Sequence, residues 1–497
     1  MVTKSTLCVA TAGVVALAAA VMADLSASAS SESDGLPQQA HHHFVQERQG
    51  FLVSTASAIF ASVAPSIRNI TEAIPHAIES GEAMHFAREN WLYLILTVVG
   101  GIAAIVFAFR ALFVPFVLIR RMEEIGYIQE KRRSNEKLAM DTKLRRKRGN
   151  LPPPFPNGWY RLCDSRDLKV KDVKNIDALG QHFVVFRGED KRVSVLDAYC
   201  PHLGANLGIG GKVKGNEIEC PFHGWTFNHD GKCTNIPYAT KVPEFAKTRK
   251  WTSLETNSHV LVWFDAENRE PAWFPPSLEE VNSGSWTFRG YTEHNINAHI
   301  QEVPENGADI AHLKHVHSPL MASGTDLRAT RTEGGPRFQA IGEHVWDASW
   351  TPGEGIDKHI GFLELVHQMT IFGIIFSPLN FYVSAQQIGP ALVYLKWRSL
   401  FGQGVFIQSV TPVAPMEQLV VHTVYAEWKV PTWFAKFVML SEALQVERDI
   451  MIWNNKCFVD KPLLIPEDSL IGKWRRWYSQ FYSESSRDVI EPTSLDW

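Results

Sequence analysis

Two short ligand pairs constrain this chain more than any other feature: Cys200-Pro-His202 and, seventeen residues further on, Cys220-Pro-Phe-His223. Each pair offers one thiol and one imidazole. Gly204, Gly208, Gly210 and Gly224 stand where loops must turn tightly. This is the donor set of a two-iron, two-sulfide cluster in which one iron takes thiolates and the other imidazoles, an exchange that raises the reduction potential. A structural zinc site also uses two Cys and two His. Zinc-finger spacing, however, pairs Cys with Cys and His with His, and the linker here does not fit that pattern.

At 497 residues the chain exceeds one ordinary domain, so two or three units with appendages are expected. A net charge of −4 argues against nucleic acid as a partner. Of six cysteines, two are taken as cluster ligands and Cys8 lies near the start. Cys163, Cys233 and Cys457 form no disulfide framework, which fits a reducing compartment for the main body.

Residues 1–23 read as a secretory leader, with Lys4, an apolar run over residues 7–22 and a cleavage context before Asp24; an uncleaved apolar segment is the alternative. Residues 24–90 read as a luminal, low-order stretch rich in Ser and Ala. It carries three adjacent histidines (41–43), read as solvated, and a glycosylation sequon at Asn69. Residues 91–109 are nineteen positions without a charge, led by Trp91 and Tyr93, which predicts a membrane-crossing helix. The apolar character continues through residue 119 along the interface, giving an anchor over residues 91–119. Residues 110–148 hold twelve Lys or Arg against five acids, a bias that faces the cytosol and favours anionic lipid. Residues 120–154 are accordingly a basic linker, ended stiffly by Pro152-Pro-Pro-Phe-Pro156.

The rest reads as α+β. Residues 155–270 predict a small antiparallel β-domain carrying the cluster on two loops, with strands at 181–187, 193–196, around 218 and at 260–264. Trp225 and Phe227 are placed to shield the cluster or fill the core. Residues 271–465 predict a second domain with a large antiparallel sheet: 286–292, then 363–376, 380–387, 393–399, 406–411 and 419–427. A helix follows at 433–456, and residues 466–497 read as a tail. Residues 372–376 and 381–383 offer apolar, aromatic surface for a large hydrophobic substrate, although core packing explains them equally well.

A second metal site is legible in Glu305-Asn-Gly-Ala-Asp309-Ile-Ala-His312-Leu-Lys-His-Val-His317. His312 and His317 can share one face near a helix end. With one distant carboxylate they would form the facial triad of non-haem iron(II), which leaves positions open for dioxygen. A lone pair of this spacing is a weak signal, and His315 between the two is a decoy. Beside a cluster motif the pair becomes strong.

The two motifs together resemble the Rieske non-haem iron oxygenases over about residues 155–465. The resemblance implies a Rieske [2Fe-2S] cluster on Cys200, His202, Cys220 and His223, and a mononuclear Fe(II) on His312, His317 and a carboxylate of the late helix. Gln445-Val-Glu-Arg-Asp449-Ile-Met-Ile-Trp453 is similar to the family's closing segment, so Asp449 is the implied third ligand. Glu447 is its nearest competitor and Asp460 a remoter one. A helix-face salt bridge from Asp449 to Arg448 or Lys456 is the plain alternative. The family forms trimers, in which Asp309 would join His312 of its own subunit to His202 or His223 of the next. Asn306 would support the site or cap a helix. Ala205 and Phe222 occupy positions where respiratory Rieske proteins carry a further disulfide, which implies a low-potential carrier.

Within the family, the anchor, the Trp159-Tyr-Arg-Leu162 entry and the Ile452-Trp-Asn-Asn-Lys456 close are similar to the animal cholesterol 7-desaturases of the Neverland type, with bacterial 3-ketosteroid hydroxylases next. The resemblance implies a single-pass protein of the endoplasmic reticulum with its catalytic part in the cytosol. It would take NAD(P)H electrons through a separate reductase, because no Gly-rich dinucleotide fingerprint follows a strand. With O2 it would convert cholesterol to 7-dehydrocholesterol. A sterol hydroxylase using the same irons, and a membrane-anchored Rieske electron carrier, are the alternatives.

Overall fold

The structure is a computed structural model that describes residues 91–128, 133–145, 151–330 and 341–487. The leader, the luminal stretch with its histidines and sequon, and the last ten residues lie outside these. The chain forms two compact units, residues 1–111 and 112–497.

Helix α1 (Trp91–Phe113) takes up the uncharged run, and its Ile105 and Phe107 side chains are exposed. Among the described residues no helix is long and apolar enough to cross a membrane; several side chains of α1 lie outside them. The apolar extension past Arg110 does not continue as one interfacial segment. Strand β1 (Phe116–Arg120) is an edge strand of the large sheet, paired in parallel with β2 (Trp286–Ile296) from Phe116 opposite Gly290 to Arg120 opposite His294. The basic linker is likewise partly built into the body. Helix α2 (Asn135–Arg145) buries Leu138 and Ala139, and Lys143 pairs with Glu417 at 3.1 Å.

The cluster-bearing part is made of three small antiparallel sheets. Gly158–Asp164 pairs with His259–Phe264, which also pairs with Ser253–Thr256. Val173–Ala178, Gln181–Arg187 and Val193–Asp197 form the second. The third runs Lys212–Lys214, Glu217–Glu219, Thr226–Phe227, Cys233–Asn235. Gly158–Asp164 and His259–Phe264 are buried along their whole length, because both of their faces are covered.

The large sheet has nine strands. After β2 come β3 (Gly342–Pro352), β4 (Ile360–Ile371), a two-residue strand Ile374–Ile375 on β4, β5 (Phe381–Ile388), β6 (Leu392–Ser399), β7 (Gly402–Ala414) and β8 (Glu417–Glu427). Their order in space is β1-β2-β8-β7-β6-β5-β4-β3, antiparallel except at β1. Helix α3 (Ile310–Val316) precedes β3, and helix α4 (Thr432–Trp453) follows β8. Proline at 431 suits a helix start, and no glycine or proline interrupts the 22 residues that follow.

Residues 466–497 read as a tail from sequence, and within them a helix and the turn after it pack an aromatic face into the core. Helix α5 (Ser469–Tyr478) buries Trp474, Trp477 and Tyr478 with Trp350 of β3 and Phe481. Trp474 Nε1 donates to Gln387 Oε1 at 2.8 Å. The two domains also share one core. Phe155, Tyr160, Phe183 and Val262 pack in a single cluster with Val410, Val420, Ile450 and Trp453.

Candidate metal centres

The two cluster loops close by the same backbone device. Cys200 N–H donates to Ala205 O and Gly204 N–H to Cys200 O; Cys220 N–H donates to Trp225 O and Gly224 N–H to Cys220 O. Gly204 and Gly224 sit at φ +70° and +72°, a region that only glycine adopts without strain. The result brings two buried thiols and two imidazoles together, with the His202 and His223 rings 4.7 Å apart. His202 Nδ1 is buried and among the described residues has no hydrogen-bond partner, as befits a nitrogen reserved for a metal. Burial, and then the neighbouring Cys220, pushes the Cys200 thiol up to about 12. A cation is therefore what this thiol needs to ionise. The four donors fit a two-iron cluster. Trp225 stacks on His202 at 4.7 Å and 6°, a shield, whereas Phe227 is fully buried core.

The second centre assembles on α3 and α4. Asp309 caps α3, its Oδ1 accepting from the His312 backbone N–H at 3.2 Å. This fixes the first turn, and α3 ends at Val316 with His317 as its C-cap. The ligand atoms of His312, His317 and Asp449 lie within 4.8 Å of one another, and His317 Nε2 is 3.2 Å from Asp449 Oδ2. His312 Nδ1 bonds the Asp309 carbonyl and His317 Nδ1 bonds Gln445 Oε1 at 2.8 Å, so both Nε2 atoms are left for a metal. Burial lowers the His312 pKa against the pull of Asp449, which keeps its ring neutral and able to ligate. Two imidazoles and one carboxylate on one side of a cavity fit a divalent iron with open positions.

The competing carboxylates are elsewhere. Glu447 pairs with Arg120 at 2.9 Å and faces His294. Asp460 is exposed, and its backbone carbonyl accepts from Arg475. The alternative to ligation, a helix-face salt bridge from Asp449 to Arg448 or Lys456, does not form. Arg448 is fully buried and donates to the carbonyls of Val316, Pro319, Leu320 and Gly324 and to Gln445 Oε1, while Lys456 reaches Glu302 at 3.6 Å. Arg448 thus clamps the segment that follows His317, and Gln445 sets the ring. Sequence reasoning missed both roles, and the place of Gln445 one turn before Asp449, with Arg448 beside it, was the signal available. His315 is exposed. Asn306 lies in a 3-10 turn (Pro304–Gly307) on the cavity wall and caps no helix.

A cavity of about 330 Å³ opens beside the triad, between the sheet and α4. Alternate residues of β4 (Leu363, Leu365, His367, Met369) and β5 (Phe381, Val383, Ala385, Gln387) floor it. Of the two apolar stretches expected to meet substrate, 381–383 lines this cavity through Phe381 and Val383, while Tyr382 faces outward. Residues 372–376 instead form an exposed hairpin tip. Glu442 is a third polar group missed from sequence. It stands 3.2 Å from His422 in the wall, and burial, with Asp449 and Glu447 nearby, pushes it up to about 8.

Two family models match the chain: the Rieske [2Fe-2S] domain over residues 158–246 and the 3-Ketosteroid 9alpha-hydroxylase C-terminal domain over residues 262–482. The chain is similar to a cholesterol 7-desaturase of Xenopus laevis, 44% identical over 414 residues that cover 83% of this chain and 89% of that protein. It is 45% identical to a cholesterol 7-desaturase of Ciona intestinalis, covering 80% and 84%. A probable 3-ketosteroid-9-alpha-monooxygenase oxygenase component of Rhodococcus rhodochrous is 32% identical, covering 67% and 82%.

Proposed function

As a member of the Rieske non-haem iron oxygenases, in the branch of the cholesterol 7-desaturases, this chain is an oxidoreductase, and we propose that it removes the hydrogens at C7 and C8 of cholesterol to give 7-dehydrocholesterol. The observation that carries the reading is the His312–His317–Asp449 triad set at an apolar cavity, in a chain that aligns with cholesterol 7-desaturases over most of their length. Cys200, His202, Cys220 and His223 would hold the Rieske cluster, and the triad the mononuclear iron. When bound, these supply electron transfer and the reduction of dioxygen with NAD(P)H-derived electrons.

The chain's own residues do the rest. The apolar floor of β4 and β5 takes the ring system and excludes water, which strengthens every polar contact inside. Gln445 and the Asp309 carbonyl hold the two imidazoles in the tautomer that faces the metal. An electron carrier without oxygenase chemistry would have no use for such a triad.

Three further parts belong to the same proposal. Residues 91–109 anchor the chain in the endoplasmic reticulum with the catalytic part in the cytosol, supported by the uncharged run and the basic flank. A separate reductase delivers the electrons. A homotrimer brings Asp309 to the next subunit's cluster. The Asp309 side chain is about one third exposed, and among the described residues no hydrogen bond joins it to His202 or His223 of its own chain.

Product analysis tests the reading. Cells expressing the full chain and fed labelled cholesterol are expected to yield a sterol lighter by two hydrogens. A product heavier by one oxygen would replace desaturation by hydroxylation.

A further inference from the structure

One end of the large sheet gathers exposed apolar side chains. Strand pairing puts Ile371 of β4, Phe381 of β5, Ser399 of β6, Gly402 of β7 and Glu427 of β8 at that end. The turns beyond them expose Phe372 and Ile374 at 74%, Leu400 at 73% and Trp428 at 71%, and Trp433 in the first turn of α4 is exposed as well. Phe372-Gly373 is a two-residue turn between the paired Ile371 and Ile374, with φ +51° and +77°. Asn-Gly adopts that turn most readily. A phenylalanine in its first position holds a left-handed backbone against its own bulk, and here its ring projects from the surface.

The cavity opens at the same end. Phe437, at 39% the most exposed of its lining residues, precedes Asp449 on α4 by a distance of about 18 Å along the helix axis. Leu379 and Phe381, just past the tip, line the cavity too. Phe381 stacks on Phe434 at 5.9 Å, and Phe401 lies 4.1 Å from Phe434 and 5.7 Å from Trp433. The chain also enters the sheet here. Phe116, the first residue of β1, packs into this aromatic cluster, and α1 ends three residues earlier at Phe113, at most about 11 Å away. Residues 372–380, 399–402 and 428–441 contain no Asp or Glu, and they include Lys429 and Lys436. An apolar rim with two tryptophans and no acid suits the headgroup boundary of a bilayer.

We propose that this end of the catalytic domain seats on a phospholipid bilayer, with Phe372, Ile374, Leu400 and Trp428 in the headgroup boundary, and that the sterol passes from lipid into the cavity beside Phe437 without crossing water. The assignment rests on the sterol and anchor readings given above, and it adds the face and the port through which the substrate arrives.

The experiment uses the full chain in phosphatidylcholine vesicles that carry a radiolabelled phospholipid. A photoreactive benzoylphenylalanine replaces Ile374 in one preparation and, as the control, Ile356 in another. Ile356 is 90% exposed in the turn between β3 and β4 at the opposite end of the sheet. Illumination is expected to label the chain with lipid from position 374 and not from 356. Equal lipid labelling at the two positions overturns the inference, and so does a crosslink from 374 to a second copy of the chain, which would give this face to an oligomer. A kinetic arm uses the double variant Phe372→Glu, Ile374→Glu with a ferredoxin and its reductase. Its KM for cholesterol held in vesicles should rise by about tenfold or more with kcat kept, the loss expected when two large apolar side chains no longer enter lipid. In detergent, with cholesterol delivered on cyclodextrin, the same variant should keep the wild-type KM. An unchanged KM in vesicles for a folded, iron-loaded variant overturns the inference. Failure of the wild type to desaturate cholesterol is the separate outcome that removes the functional reading, and the lipid labelling, which needs no turnover, still decides whether this face meets the bilayer.

Discussion

At the scale of single residues, the choice among three carboxylates is the point on which the mononuclear site depends. Asp449 and Glu447 are two residues apart on one helix, so they project to different sides of it. Sequence ranks them only by resemblance; the fold separates them by what else each touches. Asp449 meets His317 at 3.2 Å, and Glu447 is occupied by Arg120 at 2.9 Å. Asp449→Ala should lose the mononuclear iron and all turnover while the cluster's visible absorption remains. Glu447→Gln should keep both metals and cost stability, on the order of 1–3 kcal/mol for a buried charged partnership. Metal analysis of the two variants checks this, and full iron in Asp449→Ala would refute the assignment. The supporting groups were harder to read. Gln445 and Arg448 act through contacts to a carbonyl-rich segment more than a hundred residues earlier, which no local pattern encodes.

At the scale of elements, legibility followed local signals. The strand at Gln181–Arg187 was readable to the residue because its short apolar run, rich in Phe and Val, is bounded by Gly180 and Gly188. The cluster loops were readable because metal spacing and glycine placement are both local. Strand β3 (Gly342–Pro352) was not, since Glu343, Asp347 and Ser349 make it look like polar connection. Its other face, with His344, Trp346 and Trp350, is the one that meets the cavity. Helix α5 was missed for a related reason. Its short sequence with three basic residues reads as solvent-exposed, yet its aromatic face completes the core around Trp350. Ending the chain after residue 468 should strip that core of Trp474 and Trp477, each a loss of about 3–5 kcal/mol if truncated alone. Soluble, iron-loaded protein is expected to vanish, as size-exclusion chromatography would show. A stable truncated enzyme would mean that α5 is dispensable.

For the whole molecule, buried neutral histidines set an acid limit. His259, His344 and His422 are pushed down to about 3 and His367 to about 4, in each case chiefly by burial. Unfolded, they titrate near 6.5. Below that pH the unfolded chain binds protons that the folded chain refuses, so stability is full above about 6.5 and is lost as pH falls towards 3–4. Each histidine contributes up to about 1.4 kcal/mol per pH unit in that window. Urea midpoints should therefore fall from about pH 7.5 to about pH 5, and His259→Gln should flatten the fall. A midpoint independent of pH would contradict the buried neutral state. The proposed trimer adds a test at the same scale. Asp309→Asn should retain both metals yet lose about tenfold or more of its turnover, by analogy with other groups that orient metal ligands. Mixing a Cys200→Ser chain, which keeps its mononuclear iron, with a His312→Ala chain, which keeps its cluster, should restore activity only if electrons cross between subunits.

The edge strand β1 has a bearing on how the protein comes to be made. Arg120, at its end, is bonded to Glu447, 327 residues further along the chain. At about 5–20 residues per second, translation leaves a gap of roughly 16–65 s between the emergence of the two. The pairing edge of Phe116-Val-Leu-Ile119 closes sooner, when β2 emerges 174 residues after it, roughly 9–35 s at the same rate, and until then it is an apolar β-segment of the kind that invites wrong partners. A ribosome that stalls before residue 290 releases a chain with its first strand unpaired, and one that stalls before residue 447 a chain whose Arg120 still lacks its carboxylate.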